Sequence, residues 1–224
     1  MGIIIAIEGI DGSGKNTQSN NLLEEYLSAG TQATKISFPQ YASTFFGKEV
    51  GNYLNGDFGS LSEVHPKLSA MLYAGDRYES KNEIFARSAG SAVLICDRYV
   101  HSNVAHQTAK VPKEDQVEFR NWIEKLEYEV YGIPKPDLVI FLNVPPKTST
   151  DLVLKKSTRD YTAKKKDLHE ADDIYLEKVY ELFKLEASSN EGWLTIDCFH
   201  NGNLLDEDAI FTKIKTELIK RKML

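Results

Sequence analysis

Cysteine is scarce in this chain: Cys96 and Cys198 are the only two in 224 residues, and each sits alone in an apolar stretch. That excludes a disulfide framework and a cysteine-built zinc site, and it predicts two buried thiols in a reducing compartment. Apolar runs never exceed five residues, against the ~18 needed to cross a bilayer. No basic segment followed by a long apolar one opens the sequence, so a soluble, cytoplasmic protein without a membrane partner is expected. An excess of positive charge is also missing, with 33 acidic residues against 27 basic ones and a net charge of -6. A general affinity for nucleic acid is therefore not expected, and any anion must be met by a local group of cations. Internal repeats and Pro/Ser-rich linkers are absent, which predicts a single domain over residues 1–224.

What is present is 42% hydrophobic residues, enough for a core, arranged in a recurring order. Three runs, 3–7, 92–96 and 138–142, are rich in β-branched residues and show no polar alternation, as strands buried on both faces of a parallel sheet do. Weaker strand signals cover 34–38 and 193–197, with helical periodicity between them. A first helix is expected from Lys15 to a left-handed stop at Gly30, with Leu22, Leu23, Tyr26 and Leu27 on one face. Another should bury Phe119, Trp122, Ile123, Leu126 and Val130, and a last one runs from about Asp206 to Lys222. The Gly/Asn-rich stretch 51–59 reads as a surface loop. Strand and helix in alternation imply an α/β fold, a three-layer doubly wound parallel sheet of about five strands that binds ligands beyond the carboxyl ends of its strands.

Directly after the first strand stand Gly9, Ile10, Asp11, Gly12, Ser13, Gly14, Lys15, Asn16 and Thr17, followed by a helix. Glycines let successive N–H groups converge on phosphate oxygens, the helix N-terminus adds partial positive charge, and Lys15 reaches the β and γ phosphates. This is a P-loop, and it makes the fold P-loop NTPase-like. Asn16 occupies the position that usually offers a hydroxyl to magnesium, and Thr17 follows it. Thr17 also stands where a dinucleotide fold would have its third glycine, which argues against a nicotinamide cofactor. A guanine-reading Asn-Lys-x-Asp motif is absent, which argues against a GTP switch.

The strand 92–96 runs into Asp97, Arg98 and Tyr99, placing a carboxylate and a guanidinium beside the P-loop. Asp97 is the candidate for magnesium and Arg98 for a second phosphate; a strand-end ion pair is the structural alternative. Phe38, Pro39, Gln40 and Tyr41 end the second strand, and Tyr73, Asp76 and Arg77 lie on a predicted helix, so ring and guanidinium can form a base-stacking pocket.

Taken with Glu8, Ser102 and Asn103, these motifs resemble the thymidylate kinase family in order and spacing from Ile3 to about Phe183. The resemblance implies transfer of the γ-phosphoryl of ATP to dTMP, with Mg2+ as cofactor and a homodimer as the assembly. It implies that Asp11 contacts the acceptor sugar, that Phe38 and Tyr73 flank the thymine, and that Tyr41, Arg77 and Arg98 hold the acceptor phosphate. Asn103, Ser102 and Gln107 would meet the base edge. His106 stands where the family commonly carries an aromatic ring screening the 2′ side of the sugar. Residues 157–168, with Lys164, Lys165 and Lys166, resemble the family's short lid, and either Arg159 or Lys166 is its closing cation. The other readings of the same residues are another nucleoside or nucleoside-monophosphate kinase, or a nucleotide-dependent regulatory P-loop protein.

Overall fold

Successive residues of the apolar strands bury on opposite sides of one sheet, and this builds two cores. Ile4, Ala6, Leu94, Cys96, Val139 and Phe141 face one, while Ile5, Ile7, Val93, Ile95, Leu138 and Ile140 face the other. In the computed structural model, residues 2–90, 92–149 and 173–224 are described. The strands are β1 (Ile3–Glu8), β2 (Ala33–Ser37), β3 (Val93–Asp97), β4 (Leu138–Asn143) and β5 (Trp193–Asp197). Their order in the sheet is β2-β3-β1-β4-β5, and every pairing is parallel. The first strand therefore lies centrally, at the point where the chain leaves in opposite directions, and its carboxyl end opens into the crevice where such sheets bind ligands. The pairs Ile7↔Asp97 and Glu8↔Phe141 bring the ends of β3 and β4 level with it.

Helices cover both faces. On one lie α1 (Lys15–Ser28) and the C-terminal α8 (Glu207–Lys220), burying Leu22, Tyr26, Ile210, Ile214 and Leu218. On the other lie α3 (Pro66–Glu79), α4 (Lys81–Gly90), α5 (Val100–Thr108), α6 (Gln116–Glu124) and α7 (Asp173–Ser189). A two-strand ribbon, β6 (Phe199–His200) with β7 (Asn203–Leu204), precedes α8, whose N-terminus is capped by Asp206 accepting from Ala209 N at 2.7 Å. Both cysteines are buried, and burial pushes the Cys198 thiol up to about 12.

Three local expectations need correction. Leu27 does not share the buried face of α1; it is 53% exposed. The stretch 51–59 is not all loop, because α2 (Phe45–Asn55) runs through its first half, starting at Thr44 as cap and ending at Gly56 in the left-handed region. Val50, Tyr53 and Leu54 give that helix an apolar face, so burial overrides the weak propensity of glycine and asparagine. The third concerns the helix after Pro112. Beyond α6 the backbone widens into a π turn at Lys125–Val130, which shifts the phase: Val130 is 65% exposed and Glu127 is fully buried in its stead. The lid expected at 157–168 lies outside the described residues.

Candidate active site

The loop that follows β1 bends at Gly9, Gly12 and Gly14, all with positive φ (148°, 81° and 90°). Gly9 also has no room for a side chain, since a Cβ would lie 2.7 Å from Ser13 Oγ and 3.1 Å from the carbonyl oxygen of Leu142. This close-wound backbone delivers its N–H groups and the start of α1 to one place, as an anion site requires. Lys15 is buried and donates to Ile10 O at 2.7 Å and more weakly to Ser13 Oγ at 3.4 Å. Burial, with the Arg98 guanidinium adding to it, lowers its ammonium to about 7.

Arg98 has φ 66°, a left-handed conformation that costs a non-glycine residue about 1–3 kcal/mol. From there its guanidinium turns over the loop. One nitrogen, Nη1, donates to Ser102 Oγ at 3.0 Å and Gly9 O at 3.3 Å, and Nη2 pairs with the Asp11 carboxylate. Burial opposes the Arg98 charge, but Asp11, Glu8 and Asp97 overcome it and hold the pKa above the ordinary arginine value. Behind it, the fully buried Glu8 accepts from the backbone N–H of Tyr99 at 2.8 Å and of Ser102 at 3.1 Å, and from Ser102 Oγ at 2.5 Å. Glu8 thus ties the end of β1 to the start of α5. Burial raises its pKa.

A cleft of about 470 Å³ lies on one side of the loop, lined by Asp11, Phe38, Tyr41, Tyr73, Arg77, Arg98, Ser102, Asn103, His106 and Gln107 among others. The structure therefore gathers in one place all ten residues that the sequence reading assigned to an acceptor. The segment carrying Phe38 and Tyr41, with a cis bond between Phe38 and Pro39, is anchored by Asp76, which accepts from Gln40 N at 2.9 Å and Thr44 Oγ1 at 2.5 Å.

Arg77 has a different setting from the one expected. Its Nε donates to Glu127 Oε2 at 2.6 Å, its Nη2 pairs with Oε1, both side chains are buried, and the guanidinium lies 5.8 Å from the centre of the Phe38 ring. Its charge is compensated by a carboxylate that lies within the π turn.

His106 is buried, which together with Arg98 lowers it to about 3, so the ring is neutral. Tyr175 spends its one proton on the His106 carbonyl at 2.9 Å, so the 3.0 Å contact between Nδ1 and the same hydroxyl makes Nδ1 the protonated nitrogen.

A second cleft, about 820 Å³, opens on the other side of the loop and is lined by Gly12, Ser13, Gly14, Asn16 and Thr17, with Leu204 of β7, Leu205 and Glu207 at the start of α8. Adjacent loop residues, Asp11 and Gly12, line different clefts, so groups bound in the two meet at the loop. Leu204, Leu205 and Glu207 had no sequence signal. Lys35 is another cation the sequence reading missed: it donates to Asn16 Oδ1 at 2.7 Å and Asn20 Oδ1 at 2.6 Å, and lies 4.0 Å from Asp97. Among the described residues no group of three metal-ligating side chains occurs. A magnesium ion carried on phosphates needs only one or two protein oxygens, and the Asp97 carboxylate fits that modest demand, whereas Asn16 Oδ1 already accepts from the Lys35 ammonium. Arg159 and Lys166 lie outside the described residues.

A phosphate loop between two clefts at the switch point of a parallel sheet defines a P-loop phosphotransferase that brings two phosphorylated ligands together. The family model for thymidylate kinase matches residues 7–208, and the chain belongs to that family. It is 29% identical over 197 residues to thymidylate kinase of Mycobacterium tuberculosis, covering 87% of this chain and 91% of the relative. It is 31% identical to a probable thymidylate kinase of Methanocaldococcus jannaschii, covering 80% and 82%. The solved structure of Candida albicans thymidylate kinase shares the fold, with a TM-score of 0.75 at 23% identity over 99% of this chain and 93% of that one.

Proposed function

We propose that this protein transfers the γ-phosphoryl group of ATP to dTMP, giving dTDP and ADP for dTTP synthesis. The observation that carries the reading is the pair of clefts divided by Asp11 and Gly12, one a phosphate cradle and the other walled by aromatic, amide and guanidinium groups. The attacking atom is an anionic phosphate oxygen, so no strong general base is needed. The barrier is charge: two unit charges ~4 Å apart repel by about 4 kcal/mol at an effective dielectric of roughly 20, and several meet here.

Lys15 and the loop N–H groups (Gly9, Gly12, Ser13, Gly14, Asn16 and Thr17 belong to it) hold the donor phosphates, and Arg98 with Tyr41 takes the acceptor phosphate, Arg98 leaving Asp11 to do so. Asp11 is then released toward the acceptor sugar. Phe38 and Tyr73 flank the base. Arg77, already neutralised by Glu127, serves the base end and not the phosphate. Mg2+ held by Asp97 and the phosphates would supply further charge neutralisation. Arg159 or Lys166 is the closing cation, and the chain acts as a single-domain, cytoplasmic homodimer. No described helix is long and apolar enough to cross a membrane.

The test is a coupled ADP-release assay with ATP, magnesium and a panel of nucleoside monophosphates. Release that depends on dTMP, with dTDP as product, is expected. Slow release indifferent to every monophosphate would remove the proposal.

A further inference from the structure

Beneath the acceptor cleft lies a buried lysine with no carboxylate among its described partners. Lys110 follows α5, and its ammonium donates to Gln107 Oε1 at 2.6 Å, to Tyr53 Oη at 2.6 Å and more weakly to Ser69 Oγ at 3.4 Å. It also lies 5.0 Å from the centre of the Tyr53 ring. Burial lowers it to about 7. A buried cation held by neutral groups is a cost to stability, so its presence beside a ligand cleft calls for a purpose.

We infer that Lys110 and Ser69 lock the Gln107 amide in one orientation, making Gln107 an obligate donor toward the substrate base and Lys110 a positioning residue for base selectivity. The argument rests on which groups can only donate. In its charged form, which slightly acidic solution favours, Lys110 has no acceptor, so the amide atom facing it must be the oxygen. Ser69 Oγ, at 2.7 Å from the same oxygen, reinforces this; its contact with Pro66 O is longer, at 3.2 Å. Gln107 Nε2 is left buried without a hydrogen-bond partner, on a residue that lines the cleft.

One turn earlier on α5 the logic reverses. Asn103 Nδ2 faces two groups that only accept, Ala70 O at 3.0 Å and Glu127 Oε1 at 2.8 Å, so Oδ1 is the atom left buried without a partner. The helix therefore offers one fixed acceptor and one fixed donor at i and i+4. A base edge with a ring N–H beside a carbonyl satisfies both, as thymine and uracil do. The bare ring nitrogen and amino group of cytosine present the reverse pattern, and leaving buried polar groups unmatched is what makes such sites selective.

The inference rests on the proposed acceptor being dTMP. Its test compares kcat and KM for dTMP and dCMP in wild type, Lys110→Met, Ser69→Ala, Gln107→Met and the Lys110→Met/Gln107→Met double variant, in slightly acidic buffer with saturating ATP. For Lys110→Met the expected result is a dTMP KM raised about tenfold with kcat nearly unchanged, and a dTMP-over-dCMP preference in kcat/KM reduced about tenfold. Ser69→Ala should move both quantities in the same direction by less. Gln107→Met should reproduce the loss, and the double variant should add nothing to it. A lysine that merely staples α2, α3 and α5 would lower the melting temperature with the preference intact, and that outcome, or additive losses in the double variant, overturns the inference. Should Lys110→Met fail to fold, Ser69→Ala with an unchanged preference overturns it. A wild type without preference for dTMP over dCMP refutes the proposed acceptor itself, which separates the two failures.

Discussion

Lys15 lies in the phosphate cradle close to losing its proton. At pH 8 roughly nine in ten Lys15 amines of the free protein are neutral if the group titrates near 7, whereas polyphosphate in the cradle favours the charged form. Binding of ATP must then draw a proton from solvent above about pH 7 and almost none well below it. Calorimetry at pH 8 in buffers of different ionisation enthalpy should give buffer-dependent heats, and ATP affinity should weaken as the pH rises past 7. Heats independent of the buffer would show that Lys15 is charged before ATP arrives. Arg98 separates activity from stability at a single position. Arg98→Ala removes the guanidinium but keeps a Cβ at φ 66°, while Arg98→Gly removes both. Turnover should fall by about 10² or more in each, and the glycine variant should be the more stable by about 1 kcal/mol in denaturant titrations.

Two helical elements carry costs that variants can reveal. Gly75 of α3 lies against α2, where a Cβ would come within 2.6 Å of Phe46 Cγ. Gly75→Ala should push that ring aside at a cost of about 1–3 kcal/mol, read as a lower urea midpoint at an unchanged slope. Breaking the buried Arg77–Glu127 pair by Glu127→Ala strands a guanidinium in the interior and should cost about 3–5 kcal/mol, with KM for dTMP rising in parallel. At this scale legibility followed physical cause. The strands β1, β3 and β4 could be read because burial on both faces leaves uninterrupted β-branched runs, the edge strands β2 and β5, with exposed residues, gave weaker signals, and α1 was legible because the cradle announces it. By contrast α2 was hidden, since Gly47, Gly51, Asn52 and Asn55 argue against helix and only contact with α3 makes one. The turn at Lys125–Val130 was hidden because a regular 3.6-residue period assigns the inward place to Val130.

Across the whole molecule, the site was readable where its residues are contiguous: the loop from Gly9 to Thr17, the Asp97–Arg98 pair, and the amides on α5. What could not be read were the partners that only folding supplies. Glu127 is fifty residues from Arg77, Ser69 is 38 from Gln107, and Lys35 reaches Asn16 of α1 from β2. Their spacing carries no chemical signature. The homodimer proposed for the protein leaves room for the apolar side chains that α2 and α3 expose, such as Phe45 at 65% and Leu68 at 56%. Equilibrium sedimentation should give twice the chain mass, and a species of single chain mass at micromolar concentration would contradict it.

The π turn also makes the protein sensitive to length where it is tolerant of composition. Each residue of a regular helix advances the side chains by about 100°, so an in-frame deletion of Lys125 or Leu126 would rewind the helix and swing Glu127 away from Arg77. Substitutions at exposed positions such as Lys125 and Val130 would pass unnoticed in a library screen, while that single indel would not.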